Sequence, residues 1–91
     1  MNALFLILTE VKDMKDLIRE QLSLVSGLPE SSFPDHADLY KEVGIDSIVM
    51  IELVSGLEDQ FLISIPHEDY KRLKSVADIA EYLKERSVET P

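Results

Sequence analysis

Ser47 stands in Gly44-Ile45-Asp46-Ser47-Ile48, where an irregular stretch gives way to a helical pattern. A hydroxyl at such a junction has two uses. It can cap the helix, accepting a hydrogen bond from a backbone N–H that has no intrahelical partner. It can also carry a covalent phosphate group, because free N–H groups and the helix dipole favour an anion there. Asp46 suits the same helix end, as a cap or a first-turn acid. Other chemistry finds less support. A nucleophilic serine needs an organised base and oxyanion donors, and the Gly-x-Ser-x-Gly elbow is absent. Asp35-His36-Ala37-Asp38 gathers donor atoms, and His67 adds another. Nothing supplies the second half of a site at ligand spacing, so no metal is expected. The chain's three glycines make no phosphate-cradling loop. Enzyme activity is not expected.

The elements that must position Ser47 follow from spacing. Thr9-Glu10 offers a cap and an acidic first turn for a first helix. Val11, Met14, Leu17, Ile18, Leu22 and Val25 recur along it at helical intervals, and Gly27-Leu28-Pro29 ends it. A long loop follows to Asp46, with Leu39 and Val43 able to pin it to the core. The second helix is predicted from Ser47 to about Phe61, with Met50, Leu53, Val54, Leu57 and Phe61 as its core stripe. After Ile63 and Ile65, Pro66 can start a short third helix through Tyr70 to Leu73. Ser75-Val76-Ala77-Asp78 reads as a capping box with aspartate in the glutamate position. It opens a last helix with Val76, Ile79, Ala80 and Leu83 facing in. No strand alternation and no internal repeat appear. The expected fold is all-α: a small four-helix bundle with a short third helix and a long loop between helices 1 and 2. One domain is placed at 9–86, behind an N-terminal extension (1–8) and ahead of a polar tail (87–91).

Composition narrows the partners. With 91 residues the chain is one domain, able to bury about two-thirds of its unfolded surface. Eighteen acids against nine Lys and Arg give a net charge of −9, so nucleic acid is repelled and basic protein faces are the expected partners. Acidity also serves solubility alone. Without cysteine the chain has no disulfide and no thiolate of its own. The apolar run Ala3-Leu4-Phe5-Leu6-Ile7-Leu8 is too short to span a bilayer and lacks the flanks of a signal peptide. No membrane association and a cytoplasmic location are therefore expected.

Once the core stripe of the second helix is assigned, Ile48, Ile51, Glu52, Ser55 and Asp59 fall on another face, with Val49 near it. Large aliphatic groups rimmed by acids suggest a docking surface. Alternatively, the long loop folds over Ile48 and Val49 and buries them.

Taken together, Ala37-Asp38-Leu39, Val43-Gly44-Ile45-Asp46-Ser47-Ile48, Ile51-Glu52-Leu53, Leu57-Glu58-Asp59-Gln60-Phe61, Ile65-Pro66 and Val76 resemble the acyl carrier protein family, from about Thr9 to Arg86. The resemblance implies a non-catalytic, free-standing carrier. A phosphopantetheinyl transferase would move 4′-phosphopantetheine from coenzyme A onto Ser47, and the thiol of that arm would hold acyl, aminoacyl or polyketide groups as thioesters. Asp46 would help position the metal and coenzyme A in the transferase complex, with Ile48 beside it. Val49, Ile51, Glu52, Ser55, Glu58 and Asp59 would meet basic patches on the transferase, on acyl- or aminoacyl-loading enzymes and on synthases. Val43, Met50, Leu53, Val54, Leu57, Ile65, Tyr70 and Leu73 would line an acyl pocket between parted helices, besides packing the core. A monomer is expected of such a shuttle.

The sequence also departs from the family's pattern. Val49 replaces a common acid two residues after the serine, and His67 stands where an acid is frequent. Tyr70 and Lys71-Arg72 make the third-helix segment bulky and basic, and the loop before Ser47 is long. These departures favour a specialised carrier, for polyketide, nonribosomal peptide or aminoacyl transfer, and a fatty-acid pathway stays open beside it. The competing reading is an acidic helical adaptor that binds a partner through the apolar face of helix 2, with Ser47 only a helix cap.

Overall fold

The structure, a computed structural model, describes residues 13–88. Helix α1 spans Met14–Ser26, and Asp13 caps it by accepting the Asp16 N–H at 3.0 Å. The expected cap Thr9-Glu10, the stripe residue Val11 and the 1–8 extension lie outside the described residues. The described start corrects that expectation, because the extended backbone of Asp13 makes Met14 the first helical residue. Ile18 and Leu22 are fully buried, Met14 and Val25 pack at the edge of the core, and Leu17 is half-buried. The helix stops where expected: Gly27 takes a left-handed φ of 78° and returns its N–H to the Ser23 carbonyl at 2.9 Å.

The long connection is tied down at both ends of its path. Arg19 donates from Nε to the Phe33 carbonyl at 2.7 Å and pairs with Asp35, whose other oxygen takes Lys15 Nζ at 2.9 Å. Phe33 is fully buried. The Asp35 carbonyl then accepts the Ala77 N–H at 2.9 Å, so one loop residue joins two helices. Lys15 first, then Arg19, holds the Asp35 carboxyl below its ordinary value.

Helix α2 spans Ser47–Phe61 and buries Met50, Leu53, Val54 and Leu57, while Phe61 is only half-buried at the core's edge. Leu62 ends it in the left-handed region at φ 56°, and its side chain is 89% exposed. The expected third helix is a 3-10 helix at His67–Arg72. Its turns close by three-residue steps, Asp69 N–H to Pro66 and Leu73 N–H to Tyr70, as suits so short a piece. Helix α3 spans Val76–Val88, running past the expected end at Arg86; residues 89–91 lie outside the described set. Ser75 caps it as expected, accepting the Asp78 N–H at 3.1 Å. Val76, Ile79, Ala80 and Leu83 face in, joined by Tyr82. The Tyr82 hydroxyl donates to Asp69 at 2.6 Å and accepts from Arg86 at 3.0 Å, while the Arg72 guanidinium lies 4.8 Å over its ring. That cluster fastens the 3-10 helix to α3. Helix α1 packs against both α2 and α3, and these three helices with the 3-10 helix at His67–Arg72 close around one core, as the hydrophobic spacing predicts.

Candidate functional site

The approach to Ser47 is built from hydrogen bonds of the loop. Asp38 accepts the N–H groups of Tyr40 and Lys41 at 2.9 and 2.8 Å, opening a single π-turn at Leu39–Val43. Those amides, Lys41's foremost, hold the Asp38 carboxyl below its ordinary pKa, as do the charges of Lys41 and Lys74. The Leu39 carbonyl accepts from Gly44 at 3.0 Å and from Ile45 at 2.9 Å. Gly44 must adopt φ 90° for this, a conformation that costs a side-chain-bearing residue about 1 kcal/mol or more. The chain is thereby reversed, Ile45 is driven into the core, and the next two residues emerge at the head of α2. On the other side, the Leu39 N–H donates to the Lys74 carbonyl at 2.7 Å. Ser47 therefore sits on a frame held from the loop, the core and the entrance of α3.

Asp46, and not Ser47, is the helix cap. Its backbone is extended and its carboxylate accepts the Val49 N–H at 2.9 Å, while its carbonyl takes Met50 N–H at 3.0 Å. Of the two uses open to Ser47, the cap is the one this geometry does not show. A residue one place inside the helix cannot fold its own side chain back onto those amides, and the aspartate already serves them. Ser47 is exposed, and its hydroxyl makes no hydrogen bond among the described residues. The N–H groups of Ser47 and Ile48 are likewise unclaimed among the described residues. An open hydroxyl beside unpaired amides at the positive end of a 15-residue helix fits a phosphate ester.

The outer face of α2 carries Ile48 and Ile51 at 66% and 52% exposure, with Glu52, Ser55 and Asp59 also exposed. The loop does not fold over Ile48. Val49 differs from expectation, being half-buried and turned against the core. Glu58 differs too: its carboxylate accepts the Ile65 N–H at 2.8 Å, bracing the turn after α2. The resemblance implies a docking role for Glu58, and no local pattern reveals a backbone partner seven residues on.

Of the expected pocket residues, Met50, Leu53, Val54, Leu57, Ile65 and Leu73 are buried core, with Val43 and Tyr70 half-buried at its rim. His36 and His67 are exposed, and no group of three or more metal-binding side chains converges among the described residues. Sequence reasoning passed over Phe33 and Tyr82, and weighed Asp35 only as a metal donor. Tyr82 had a signal, since it lies between Ile79 and Leu83 on the inward face. Phe33 and the clamp role of Asp35 had none, because both sit in a loop without period. Among the described residues no helix is long and apolar enough to cross a membrane.

A family model described as "Phosphopantetheine attachment site" matches residues 16–83. An acyl carrier protein of Brachyspira hyodysenteriae is 33% identical over 75 residues, covering 82% of this chain and 92% of that protein. An acyl carrier protein of Bdellovibrio bacteriovorus is 37% identical over 73 residues, covering 80% of this chain and 88% of that protein.

Proposed function

The chain belongs to the acyl carrier protein family, whose members hold a covalent 4′-phosphopantetheine and carry groups without catalysing their conversion, and from that premise we propose that Ser47 is the attachment residue. The observation that carries this reading is the division of labour at the head of α2. Asp46 does the capping, which leaves the Ser47 hydroxyl exposed and uncommitted. When bound, the prosthetic group supplies the thiol that a cysteine-free chain lacks, and with it the capacity to hold a thioester.

The chain's own residues then orient and present the load. Ser47 and Ile48 offer amides to the phosphate, and Asp46 keeps the helix end in register for a phosphopantetheinyl transferase drawing on coenzyme A. Ile48 and Ile51 form the apolar centre of a docking face, Val49 marks its inner edge, and Glu52, Ser55 and Asp59 are its polar rim. Such a face suits short encounters with basic patches on transferases, loading enzymes and synthases. Glu58 braces the fold first and meets partners only at its free oxygen. Met50, Leu53, Val54, Leu57, Ile65 and Leu73, with Val43 and Tyr70 at the rim, would line an acyl chain if the helices part. Val49, His67, Tyr70 and Lys71-Arg72 support a specialised pathway of polyketide, nonribosomal peptide or aminoacyl transfer. The carrier unit is taken as 9–86, acting as a cytoplasmic monomer.

Peptide mapping of the loaded protein tests the assignment of Ser47. Fragmentation should localise phosphopantetheine to Ser47. Finding it on Ser55 or Ser64, or on no serine after incubation with transferase, would overturn the assignment.

A further inference from the structure

We propose that the groove between the π-turn and the 3-10 helix binds the carboxylate of a carboxylate-terminated acyl group tethered to this same chain, a half-thioester of a dicarboxylic acid. The groove has a volume of about 490 Å³ and is lined by Asp38, Tyr40, Lys41, Tyr70, Lys71 and Lys74. That volume lies within the range of small-molecule sites, roughly 300–1,000 Å³. Three pieces of backbone contribute to it: the turn at Leu39–Val43, the segment His67–Arg72 and the residue leading into α3.

Charge identifies the ligand. In a chain of net charge −9, three of the nine Lys and Arg residues line one groove. The other described cations are mostly spoken for. Lys15 and Arg19 hold Asp35, Arg72 holds Glu85, and Arg86 donates to Tyr82. Among the described residues, no carboxylate stands within ion-pair distance of Lys41, Lys71 or Lys74. Asp38 is the one acid in the lining, and its carboxylate is turned to the Tyr40 and Lys41 amides. The groove thus holds three ammonium groups against one carboxylate, and an anion from outside relieves their mutual repulsion. Tyr40 and Tyr70 share the lining and offer aromatic surface for a hydrocarbon body.

Position selects the tethered load over a partner protein. Leu39 links the two sides, donating to the Lys74 carbonyl at 2.7 Å and accepting from Ile45 at 2.9 Å. Ser47 follows Ile45 by two residues, at most about 7 Å of extended chain. The groove therefore begins roughly 10 Å along the backbone from the serine, within reach of an extended pantetheine arm, which spans on the order of five residues of chain. A concave site so close to the attachment point fits an arm-borne group better than a flat protein face does.

This inference rests on Ser47 carrying the arm, so its test is run in two forms. In the first, apo protein is titrated with S-glutaryl-pantetheine and with neutral S-pentanoyl-pantetheine, following backbone amide NMR shifts. The glutaryl compound should shift Tyr40, Lys41, Tyr70, Lys71 and Lys74 and bind about fivefold tighter than the neutral one, the upper end for an exposed ion pair. The preference should vanish in Lys71→Gln/Lys74→Gln and fade in 0.5 M salt, where screening length falls to roughly 4 Å. In the second, the protein is loaded from glutaryl- or pentanoyl-coenzyme A and checked by mass, and the same shifts should appear with the charged load alone. Free glutarate is the control for untethered carboxylates and should produce weaker shifts at equal concentration. Equal shifts with both thioesters, or a glutaryl preference that survives the double substitution, would overturn the proposal. Failure to load at Ser47 would strike the attachment assignment instead, and the first form would still decide the groove.

Discussion

At the head of α2, two adjacent side chains divide tasks that a single serine is often asked to combine. The Asp46 carboxylate holds the Val49 amide, so stability rests on Asp46, and the Ser47 hydroxyl is left open for the proposed attachment. Replacing Asp46 with alanine should therefore cost about 1 kcal/mol by urea unfolding, the usual loss for a cap, whereas Ser47→Ala should change stability by less than about 0.5 kcal/mol. A cap-sized loss in the serine variant would contradict the geometry. At the other end of the same helix, Leu62 adopts φ 56° with its side chain almost wholly in solvent. Left-handed backbone costs a leucine about 1–2 kcal/mol, and a glycine there gives back about 0.5–1 kcal/mol through the freer unfolded chain. Leu62→Gly should accordingly stabilise the protein by about 0.5–1 kcal/mol; a loss of stability would show that Leu62 makes contacts the structure lacks.

The helices were legible at the scale of elements because their apolar residues repeat. Met50, Leu53, Val54 and Leu57 fall on one face by spacing alone, and the structure buries all four. Ser75 was recognisable as a cap from its own type and that of Asp78. The loop was legible only in part. Leu39 stood out as an anchor, but the clamp of Lys15 and Arg19 on Asp35 joins residues 16 and 20 positions apart, beyond any local pattern. Spacing alone could not choose between Asp46 and Ser47 as cap, because both residue types serve and the two are adjacent. The Asp35 clamp has a consequence in acid. Its folded-state carboxyl is held below the ordinary value of 3.8 by Lys15 and Arg19, so its contribution is complete above that value. It is lost as pH falls through the lower folded-state value. In thermal melts between pH 5 and 2, Asp35→Asn should be less stable than wild type near pH 5. The gap should close as pH drops below about 4. A gap constant across that range would show that the clamp is not ionic.

For the whole molecule, an acidic chain encloses a small core and leaves Ile48 and Ile51 exposed on the helix that Ser47 opens. Charge reversal at Glu52 or Asp59 should slow loading by a transferase with a basic docking patch about two- to tenfold at low salt, an effect that shrinks as salt rises. Rates unchanged at low salt would remove these acids from the docking face. The central claim is that Ser47 itself bears the arm, and intact-protein mass spectrometry addresses it most directly. Wild type and Ser47→Ala would be incubated with coenzyme A, magnesium and a broad-specificity phosphopantetheinyl transferase, with matched melts confirming that both are folded. The account predicts a gain of one phosphopantetheine on wild type and none on the alanine variant. An equal gain on both proteins, or none on a folded wild type free of prior modification, would contradict it.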